Sequence, residues 1–580
     1  MVPVPGLLVA EQATMLRGWQ APAHHDNQGS KGIWRTRTGA ELLVMGRPME
    51  PFPRLEVGFR NRLACGRGVK QGQGQRRGRQ SVLEGSAQSY WMASSKGPEY
   101  PTLTEDVEVD VAVIGGGIAG ISTAWELTRA GRPAIVLEAD RIVSGVTGFT
   151  TGRLSALHPW VFAPLRESLG AEAARLYARS QQEAVEHAVQ IAGRLGIECD
   201  LERRPSYLYV EPLERADDLK AEAEAVRDAG LAASFVTETS LPYDVAGAVE
   251  LGEQVQFHPR RYLLGLAEDL VRGGGRIYER TRVVDLVEGR RHRLTTDAGV
   301  TVHAREVVIA TLFPVFGRAL LDFRLVPMRE LVIAAPIAEE DDPGAMFITR
   351  EDNTRSVRTA PYGEGRRLLL ITGESFAPGS GETAERHRLL VDWTRRHFKV
   401  GDVHYWWAAQ DLDTSDKIPY VGRVDDNLYV ATGYARSGMS HGIMSGRLLA
   451  GLLTGEEQPW TNLYAPRRKH PVREAGPLLK VGWSHLRRRI ADHVRVTRMP
   501  VADLKPGTGA VVRLQGRVCA VHRDDHGTTH VLSARCPHSG CLVTFNDAER
   551  VWECPCHGCR FAADGSVLQG PATAPLRSRV

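Results

Sequence analysis

A glycine-rich turn between two apolar segments constrains the fold of this 580-residue chain more than any other stretch. Residues 108–114, EVDVAVI, form an apolar, β-branched run typical of a buried strand. Gly115, Gly117 and Gly120 follow at once in a G-x-G-x-x-G spacing, and a helical pattern then leads to a second apolar run that ends in Glu138. Strand, glycine turn, helix, strand and acid in this order predict a βαβ unit of a dinucleotide-binding fold.

Each part of this unit has a physical task. Gly115 permits the tight turn, Gly117 lets the backbone approach a pyrophosphate, and Gly120 lets the helix pack closely on the strand. The N-terminus of the helix faces the phosphates, and Glu138 is placed to accept hydrogen bonds from ribose hydroxyls. A glycine-rich turn that arose by chance is the alternative, but it would not require the flanking strands or the acid.

A second constraint is a box of cysteine and histidine near the C-terminus. Cys536 and His538 form a C-x-H pair, and Cys554 and His557 form a C-x-x-H pair after a gap of 15 residues. Two thiolates on one iron and two imidazoles on the other are the ligand set of a Rieske [2Fe-2S] centre. Zinc also binds cysteine and histidine at such spacings. A zinc site, however, does not require the two further cysteines that lie inside the same loops.

The C-terminal region, roughly residues 497–580, resembles the high-potential Rieske proteins. In that family the two further cysteines form a disulfide, which the resemblance assigns to Cys541 and Cys556. The family's serine and tyrosine, which donate hydrogen bonds to cluster sulfurs, are replaced here by Cys559 and Phe561. Because fewer donors stabilise the reduced cluster less well, we expect a potential in the lower half of the Rieske range of about −150 to +300 mV.

Residues 105–470 resemble the D-amino-acid-oxidase-like (DAO) FAD-dependent oxidoreductases, the family of glycine and sarcosine oxidases. Besides the βαβ unit, the likeness is carried by residues 144–158 (SGVTGFTTGRLSALH), 257–286, 305–314, 406–423 and 427–455. The resemblance implies bound FAD, with contacts from the glycine turn and Glu138 and from Thr147, Val283, Gly433 and Gly438. With the Rieske module added, the chain resembles the YhfW-like group of bacterial oxidoreductases.

The expected fold class is an α/β FAD-binding (Rossmann-like) domain with an interleaved α+β substrate domain, followed by a small all-β Rieske domain. The expected divisions are a disordered extension or misassigned start over 1–95 with Met92 as the first native residue, the oxidoreductase over 105–455, a linker over 456–496 and the Rieske domain over 497–580. Within the oxidoreductase, we expect nucleotide-binding segments at about 108–160, 255–320 and 405–455, and a substrate domain at about 160–255 and 320–405.

Charge and composition give no sign of a nucleic-acid or membrane protein. The chain carries a net charge of +4, and its first 90 residues alone hold 13 Lys or Arg against 6 Asp or Glu, so the basic excess is confined to that segment. No run of 18 apolar residues occurs, and the N-terminus lacks the pattern of a signal peptide. Of eight cysteines, six lie in the C-terminal domain. These features predict a cytoplasmic enzyme with no membrane span and no nucleic-acid partner.

A flavin and a one-electron cluster in one chain predict a dehydrogenase. We expect it to oxidise a small-molecule amine or amino-acid-like substrate and to pass electrons singly from FAD to the cluster and on to an unidentified acceptor. Two alternatives stay open: the cluster feeds electrons to FAD for an oxygenase or reductive reaction, or the protein is a non-catalytic electron carrier or redox sensor. The candidate substrate contacts are Arg153, Arg329 and Arg436 for an anionic group, and His158 and Tyr434 beside the flavin.

Overall fold

The computed structural model describes residues 83–317, 321–349, 351, 353–468, 496 and 499–579. Helices and strands are numbered in chain order within these residues. The helices are α1 (Tyr90–Ala93), α2 (Ile118–Arg129), α3 (Phe162–Leu169), α4 (Ala171–Leu195), α5 (Ala216–Asp228), α6 (Pro259–Arg272), α7 (Thr383–His397), α8 (Gly438–Thr454) and α9 (Thr461–Tyr464). Among them, none is both long and apolar enough to cross a bilayer.

The nucleotide-binding sheet contains the predicted βαβ unit. Its strands are β2 (Val107–Ile114), β3 (Ala134–Leu137), β8 (Arg276–Tyr278), β9 (Val283–Val287), β10 (His292–Thr296), β11 (Thr301–Ile309), β17 (Tyr420–Asp425) and β18 (Leu428–Thr432). They are ordered β17-β18-β11-β2-β3-β8, with β10 on β11 and β9 on β10. Strand β2 pairs in parallel with β3 and β11, and its C-terminal half is fully buried, as its apolar sequence requires.

The substrate-domain sheet is mixed, and its strands alternate along the chain with those of the nucleotide-binding sheet. Its strands are β1 (Ser86–Ala87), β4 (Arg153–Leu154), β5 (Glu202–Val210), β6 (Ala233–Val236), β7 (Gly247–Gln256), β12 (Leu325–Ala338), β13 (Met346–Thr349), β14 (Ser356–Pro361), β15 (Arg366–Phe376) and β16 (Tyr405–Thr414). The path through it is β1-β16-β12-β15-β14-β13-β5-β7-β4, with β6 on β7.

One domain boundary expected from the sequence is wrong. The sequence predicts that a nucleotide-binding segment begins at about 405. Strand β16, however, pairs antiparallel with β12, from Leu325–Thr414 to Ala334–Tyr405. It therefore belongs to the substrate-domain sheet, and the nucleotide-binding sheet resumes at β17. Strand β16 pairs with β12 at ten positions, whereas its likeness to the FAD motif is a local feature of the sequence and does not identify its partner strand.

The segment 83–95 packs into the oxidoreductase, so the extension expected over 1–95 is wrong for these residues. Strand β1 pairs in parallel with Tyr405 and Trp406. Trp91 is 1% exposed, and its Nε1 donates to the Thr150 carbonyl at 2.6 Å. A chain that starts at Met92 would lack Trp91, which belongs to this core. Residues 1–82, which carry the rest of that expectation, lie outside the described residues.

The C-terminal domain is all-β within the described residues. A three-stranded antiparallel sheet contains β19 (Thr508–Leu514), β20 (Arg517–Arg523) and β21 (Thr529–Ser533). A four-stranded sheet contains β22 (Thr544–Asn546), β23 (Val551–Glu553), β24 (Arg560–Phe561) and β25 (Val567–Gln569). The turns between these short strands carry the cysteine and histidine box.

Part of the expected linker is packed. Trp460 and Tyr464 are buried, and Arg468 pairs with Asp416 at 2.9 Å. The linker's basic helical stretch, residues 484–494, lies outside the described residues.

Candidate active site and cluster site

A cavity of about 320 Å³, here called the central cavity, lies at the carboxyl ends of β2, β11 and β18. It is lined by seven of the predicted cofactor contacts: Gly115, Gly117, Glu138, Thr147, Val283, Gly433 and Gly438. Gly120 lies one helical turn behind them, where a Cβ would collide with the carbonyl oxygen of Gly115. The structure therefore brings the predicted contacts together at the ligand position typical of such sheets.

The residues of the central cavity fit FAD. Gly115 has a φ of +107°, a left-handed conformation that favours glycine, and the backbone then turns directly into α2. The Glu138 carboxylate accepts from the amides of Gly116 (2.6 Å) and Asp140 (3.0 Å), and burial raises its pKa. Helix α8 also begins at the cavity, without a side-chain cap at its N-terminus. Two helix N-termini and a carboxylate suit a pyrophosphate, a ribose and an electron-rich ring.

Arg153 is a half-buried cation that faces the central cavity. Its Nη2 donates to Ser206 Oγ at 2.7 Å and to the Leu157 carbonyl, both of them neutral acceptors. In the described part of the chain, no carboxylate pairs with it, and burial lowers its pKa to about 10. The guanidinium is still charged at neutral pH, so it suits an anionic group of a ligand.

Arg436 also lines the cavity, but its charge is already balanced. It pairs with Glu330 at 3.0 Å and donates to Thr354 Oγ1 at 3.0 Å. Tyr434 lines the cavity as well, and its hydroxyl donates to Ser445 Oγ at 2.9 Å. Burial raises the pKa of Tyr434, so the hydroxyl keeps its proton at neutral pH.

His158 lines the cavity from within a buried hydrogen-bond network. Its Nδ1 lies 2.6 Å from the Tyr177 hydroxyl, and its Nε2 lies 2.9 Å from Ser440 Oγ and 2.8 Å from the Ser155 carbonyl. Burial lowers the pKa of His158 well below its usual value, so the ring is neutral. Because both ring nitrogens already have protein partners, the network ties the first turn of α8 to the loop after β4.

Two residues of β16 that the sequence did not single out also line the cavity. Asp411 accepts from the amides of Leu412 (2.7 Å) and Arg436 (2.6 Å), and burial raises its pKa to about 7. Gln410 is 3% exposed, and within the described residues neither amide atom of its side chain has a hydrogen-bond partner. No sequence signal marks either residue, because their position at the cavity follows from the pairing of β16 with β12.

Arg329 does not line the central cavity, so the structure does not support it as a substrate contact. It is 0% exposed and pairs with two glutamates of the C-terminal domain, Glu549 (2.6 and 3.0 Å) and Glu553. Burial alone would raise the pKa of Glu549, but Arg329 and Arg560 hold it down at about 2. The partners lie 220 and 224 residues apart in sequence, which is why the pattern around Arg329 could not show them.

The cysteine and histidine box folds into two turns of the same form. In the first, the Gly540 amide donates to the Cys536 carbonyl at 2.9 Å. In the second, the Gly558 amide donates to the Cys554 carbonyl at 3.0 Å. Both glycines have a positive φ, of 77° and 73°. The spacing C-x-x-x-G thus builds two matching turns that point their side chains toward one site.

The predicted cluster ligands fall into two pairs at this site. His538 Nδ1 lies 3.0 Å from His557 Nδ1, and the thiols of Cys536 and Cys554 are in hydrogen-bond contact. Nitrogen beside nitrogen and sulfur beside sulfur is the donor arrangement that a [2Fe-2S] cluster with one Cys₂ iron and one His₂ iron requires. The residues present therefore fit the cluster.

Four neighbours of the ligands complete the cluster site: the disulfide pair that the family likeness implies, and the two residues that depart from the family pattern. Cys541 and Cys556 form a disulfide, with both sulfurs within 4.8 Å of the Cys554 thiol. Cys559 is buried, and its sulfur accepts from the Ala572 amide at 3.4 Å. Phe561 is fully buried and has no hydroxyl to offer.

The cluster site packs directly against the oxidoreductase. The ring of Phe313, just beyond β11, lies 5.0 Å from the His557 ring and 6.2 Å from the His538 ring. At Gly558, a Cβ would collide with the side-chain amide of Gln410, which itself lines the central cavity. Residues 568–570 of the C-terminal domain also line that cavity. The two predicted cofactor sites thus share walls.

Comparison with known proteins agrees with this architecture. The FAD dependent oxidoreductase (DAO) family matches residues 110–452, and the Rieske [2Fe-2S] domain matches residues 495–579. The chain is 31% identical to YhfW of Bacillus subtilis (strain 168), named as a Rieske 2Fe-2S iron-sulfur protein, over 86% of this chain and 98% of that protein. It is 29% identical to gamma-glutamylputrescine oxidoreductase of Escherichia coli (strain K12), over 64% of this chain and 89% of that one.

A solved structure shows the same fold for the larger domain. Glycine oxidase from Geobacillus kaustophilus matches with a TM-score of 0.52 at 21% identity, covering 62% of this chain and 99% of that one. The family, the fold class and both cofactors predicted from the sequence are confirmed. This chain therefore belongs to the DAO family of FAD-dependent oxidoreductases and carries a C-terminal Rieske [2Fe-2S] domain.

Proposed function

We propose that this chain oxidises an amine or amino-acid-like substrate at the central cavity and releases the electrons singly through its Rieske cluster. When bound, FAD supplies hydride acceptance from a carbon next to nitrogen, and the cluster supplies one-electron transfer. The observation that carries the proposal is the shared wall, in which Gln410 contacts the second cluster turn and residues 568–570 line the cavity. The substrates named for the E. coli and G. kaustophilus relatives support the substrate class.

Arg153 binds the substrate's carboxylate in this proposal. It is half-buried beside the cavity, it is charged at neutral pH, and it hydrogen-bonds to neutral oxygens. A substrate carboxylate would give the guanidinium the counter-ion that the described protein residues do not provide, and such charge-assisted bonds are the stronger kind. The amino-acid class is therefore favoured over simple amines.

Asp411 accepts the proton that the substrate's ammonium group must lose. An amine arrives protonated at neutral pH, and oxidation of the neighbouring carbon needs the nitrogen lone pair. A carboxylate with a pKa of about 7 is half ionised near neutrality, which suits a general base. Its backbone hydrogen bonds from Leu412 and Arg436 fix its orientation at the cavity wall.

The ion pairs of Arg329 hold the C-terminal domain in place for this function. Arg329 stands on β12 of the substrate-domain sheet, and Glu549 and Glu553 stand on the C-terminal domain. The Gly379 amide also donates to Glu553 at 2.9 Å. A buried, multiply hydrogen-bonded contact of this kind favours one fixed arrangement over a swinging domain.

An anaerobic optical and EPR titration tests the proposal. The purified holoprotein receives a panel of amines, amino acids and 2-hydroxy acids. We expect one amino-acid-like compound to bleach the flavin and then raise the rhombic EPR signal of a reduced Rieske cluster. A Cys536→Ser variant serves as the control, because the compound should still bleach its flavin while the EPR signal of the cluster stays absent.

The opposite result has a defined meaning. If no compound bleaches the flavin while dithionite still raises the cluster signal, the proposed oxidation is contradicted. The cluster would then be an entry point for electrons or the protein a carrier.

A further inference from the structure

A groove of about 760 Å³ on the outer side of the Rieske domain is lined by positive charge. We call it the arginine groove, after the four side chains that line it: Arg513, Arg517, Arg535 and Arg579. All four are exposed. Among its described lining residues there is no Asp or Glu.

These arginines differ from others on the same domain. Arg550 is also exposed, but it pairs with Asp525. Within the described part of the chain, the four groove arginines have no carboxylate partner. Arg535 instead donates to the Gly540 carbonyl and Arg513 to the Gly516 carbonyl, each at 3.1 Å. Their positive charge is therefore available to a partner of opposite charge.

The groove lies directly over the first cluster turn. Ser539 and Gly540, which line it, are the residues that follow the ligand His538. Phe313 of the oxidoreductase, whose ring packs against those of His538 and His557, is not among the residues that line the groove. A redox partner that docks in the groove therefore contacts the residues that directly follow the ligand His538.

We propose that the arginine groove docks an acidic, one-electron carrier protein that accepts electrons from the Rieske cluster. The proposal rests on the proposed function and names the class of its terminal acceptor. The reduced cluster loses one electron and is reoxidised, and the carrier's metal centre gains that electron, so each two-electron substrate oxidation serves two carrier molecules. Opposite charges speed the encounter and select the partner.

The chain's own linker is a poor alternative occupant. Residues 469–495 carry seven Lys or Arg against two Asp or Glu, so their charge has the same sign as the groove.

Binding measured by calorimetry tests the proposal without relying on turnover. The probes are two high-potential electron carriers of opposite charge, acidic plastocyanin and basic cytochrome c, each titrated into the oxidised holoprotein at low and moderate salt. We expect plastocyanin to bind, its Kd to rise with salt, and cytochrome c not to bind. The test variant is Arg513→Glu/Arg517→Glu, which spares the ligand turns.

A matched control carries the same change of net charge. Arg276→Glu/Arg290→Glu reverses two exposed arginines of the oxidoreductase. We expect the groove variant to raise the Kd for plastocyanin about tenfold or more, because it replaces attraction by repulsion at two contacts, and the control to change it about twofold or less. The milder Arg513→Gln/Arg517→Gln should give an intermediate Kd.

Several results would overturn the proposal. They are equal effects of groove and control variants, equal binding of cytochrome c, or a DNA duplex that binds as tightly as plastocyanin and displaces it. Stopped-flow oxidation of the dithionite-reduced protein by plastocyanin adds a second readout, and its bimolecular rate should fall in the groove variant alone.

These outcomes are distinct from a failure of the proposed function. If no amine reduces the flavin but plastocyanin still binds in the groove, the amine oxidation fails and the docking surface stands. If amine oxidation proceeds and the groove variant binds normally, the docking proposal alone fails.

Discussion

Arg153 is the side chain that we propose to bind the carboxylate of the substrate. Replacing it by Gln in Arg153→Gln removes a charged donor worth about 1.5–3 kcal/mol per hydrogen bond, so we expect the KM for amino-acid substrates to rise about 10- to 100-fold with a smaller change in kcat. Stopped-flow bleaching of the flavin measures this. The control is the matching amine without a carboxylate, whose KM should hardly change. Equal losses for both compounds would contradict the carboxylate contact.

Asp411 sets the expected pH dependence of the reaction. Its pKa of about 7 means that the carboxylate ionises as the pH rises through neutrality. We therefore expect kcat/KM to rise up to about pH 7 and then to level off, and Asp411→Asn to lose this limb as well as rate. An unchanged pH profile in the Asn variant would show that another group accepts the proton.

The same carboxylate also predicts how stability depends on pH. Because burial raises the folded-state pKa of Asp411 to about 7, its contribution to stability is fully present below the unfolded pKa and is lost as the pH rises through about 7. Asp411→Asn is neutral at every pH, so its Tm relative to the wild type should improve between pH 5 and pH 8. A constant difference in Tm would contradict this sign.

Phe561 and Cys559 tune the cluster. Phe561 is fully buried, and Phe561→Tyr would supply the hydroxyl donor that the high-potential family has there. One hydrogen bond of about 1 kcal/mol that favours the reduced cluster would raise the potential by roughly 40 mV. Cys559→Ser should act in the same direction. Redox titration followed by EPR measures both, and a lower potential in either variant would contradict the donor argument.

The contact between β12 and the four-stranded sheet of the Rieske domain holds the two sites together. In Arg329→Met, the buried Glu553 loses its close cationic partner and Glu549 keeps only Arg560, which costs about 3–5 kcal/mol. We expect substrate to bleach the flavin at the normal rate while reduction of the cluster slows. Stopped-flow absorbance at flavin and cluster wavelengths separates the two steps.

A matched variant distinguishes the interface from a general effect of losing an arginine. Arg423→Met breaks an exposed pair with Asp426 and should leave both steps unchanged. Adding Glu553→Gln to Arg329→Met removes the uncompensated charge and keeps the pair between Arg560 and Glu549 (2.7 Å), so it should restore part of the lost rate. If Arg329→Met slowed neither step, the ion pairs would not set the electron path.

Elements whose information is local could be predicted from the sequence. The βαβ unit and the two cluster turns are each encoded within a few tens of residues, by Gly115 and Glu138 in one and by Gly540 and Gly558 in the other. Strand β16 could not be placed in its sheet from the sequence, because its pairing with β12 joins residues 71 to 89 positions apart, from Ala334–Tyr405 to Leu325–Thr414. The hydrophobic periodicity of a strand does not identify a partner strand so distant in the sequence.

The parts of the site that the sequence missed depend on contacts between domains. The sequence around Arg329 suggests a substrate contact because it does not show the ion-pair partner, Glu549, which lies 220 residues away. Gln410 carries no motif, and its place between the central cavity and Gly558 follows from how the domains dock. The sequence identifies Arg153 as a candidate substrate contact. It does not show that no carboxylate pairs with Arg153 within the described residues, because that depends on the folded structure.

The fold brings together two cofactor sites that lie more than four hundred residues apart in the sequence, from Gly115 to His557. Phe313, Gln410 and residues 568–570 form the wall between them. This arrangement predicts that electron transfer between the two sites takes place within a single molecule. The arginine groove lies over the first cluster turn, where an outside carrier can dock.

A single-turnover experiment tests this central claim most directly. The oxidised holoprotein is mixed anaerobically with a substoichiometric amount of the identified substrate at several protein concentrations, and freeze-quench EPR follows the cluster. We predict that the cluster is reduced with a first-order rate constant that does not depend on protein concentration. A rate that grows with protein concentration, or a cluster that stays oxidised beside reduced flavin, would contradict electron transfer within the chain.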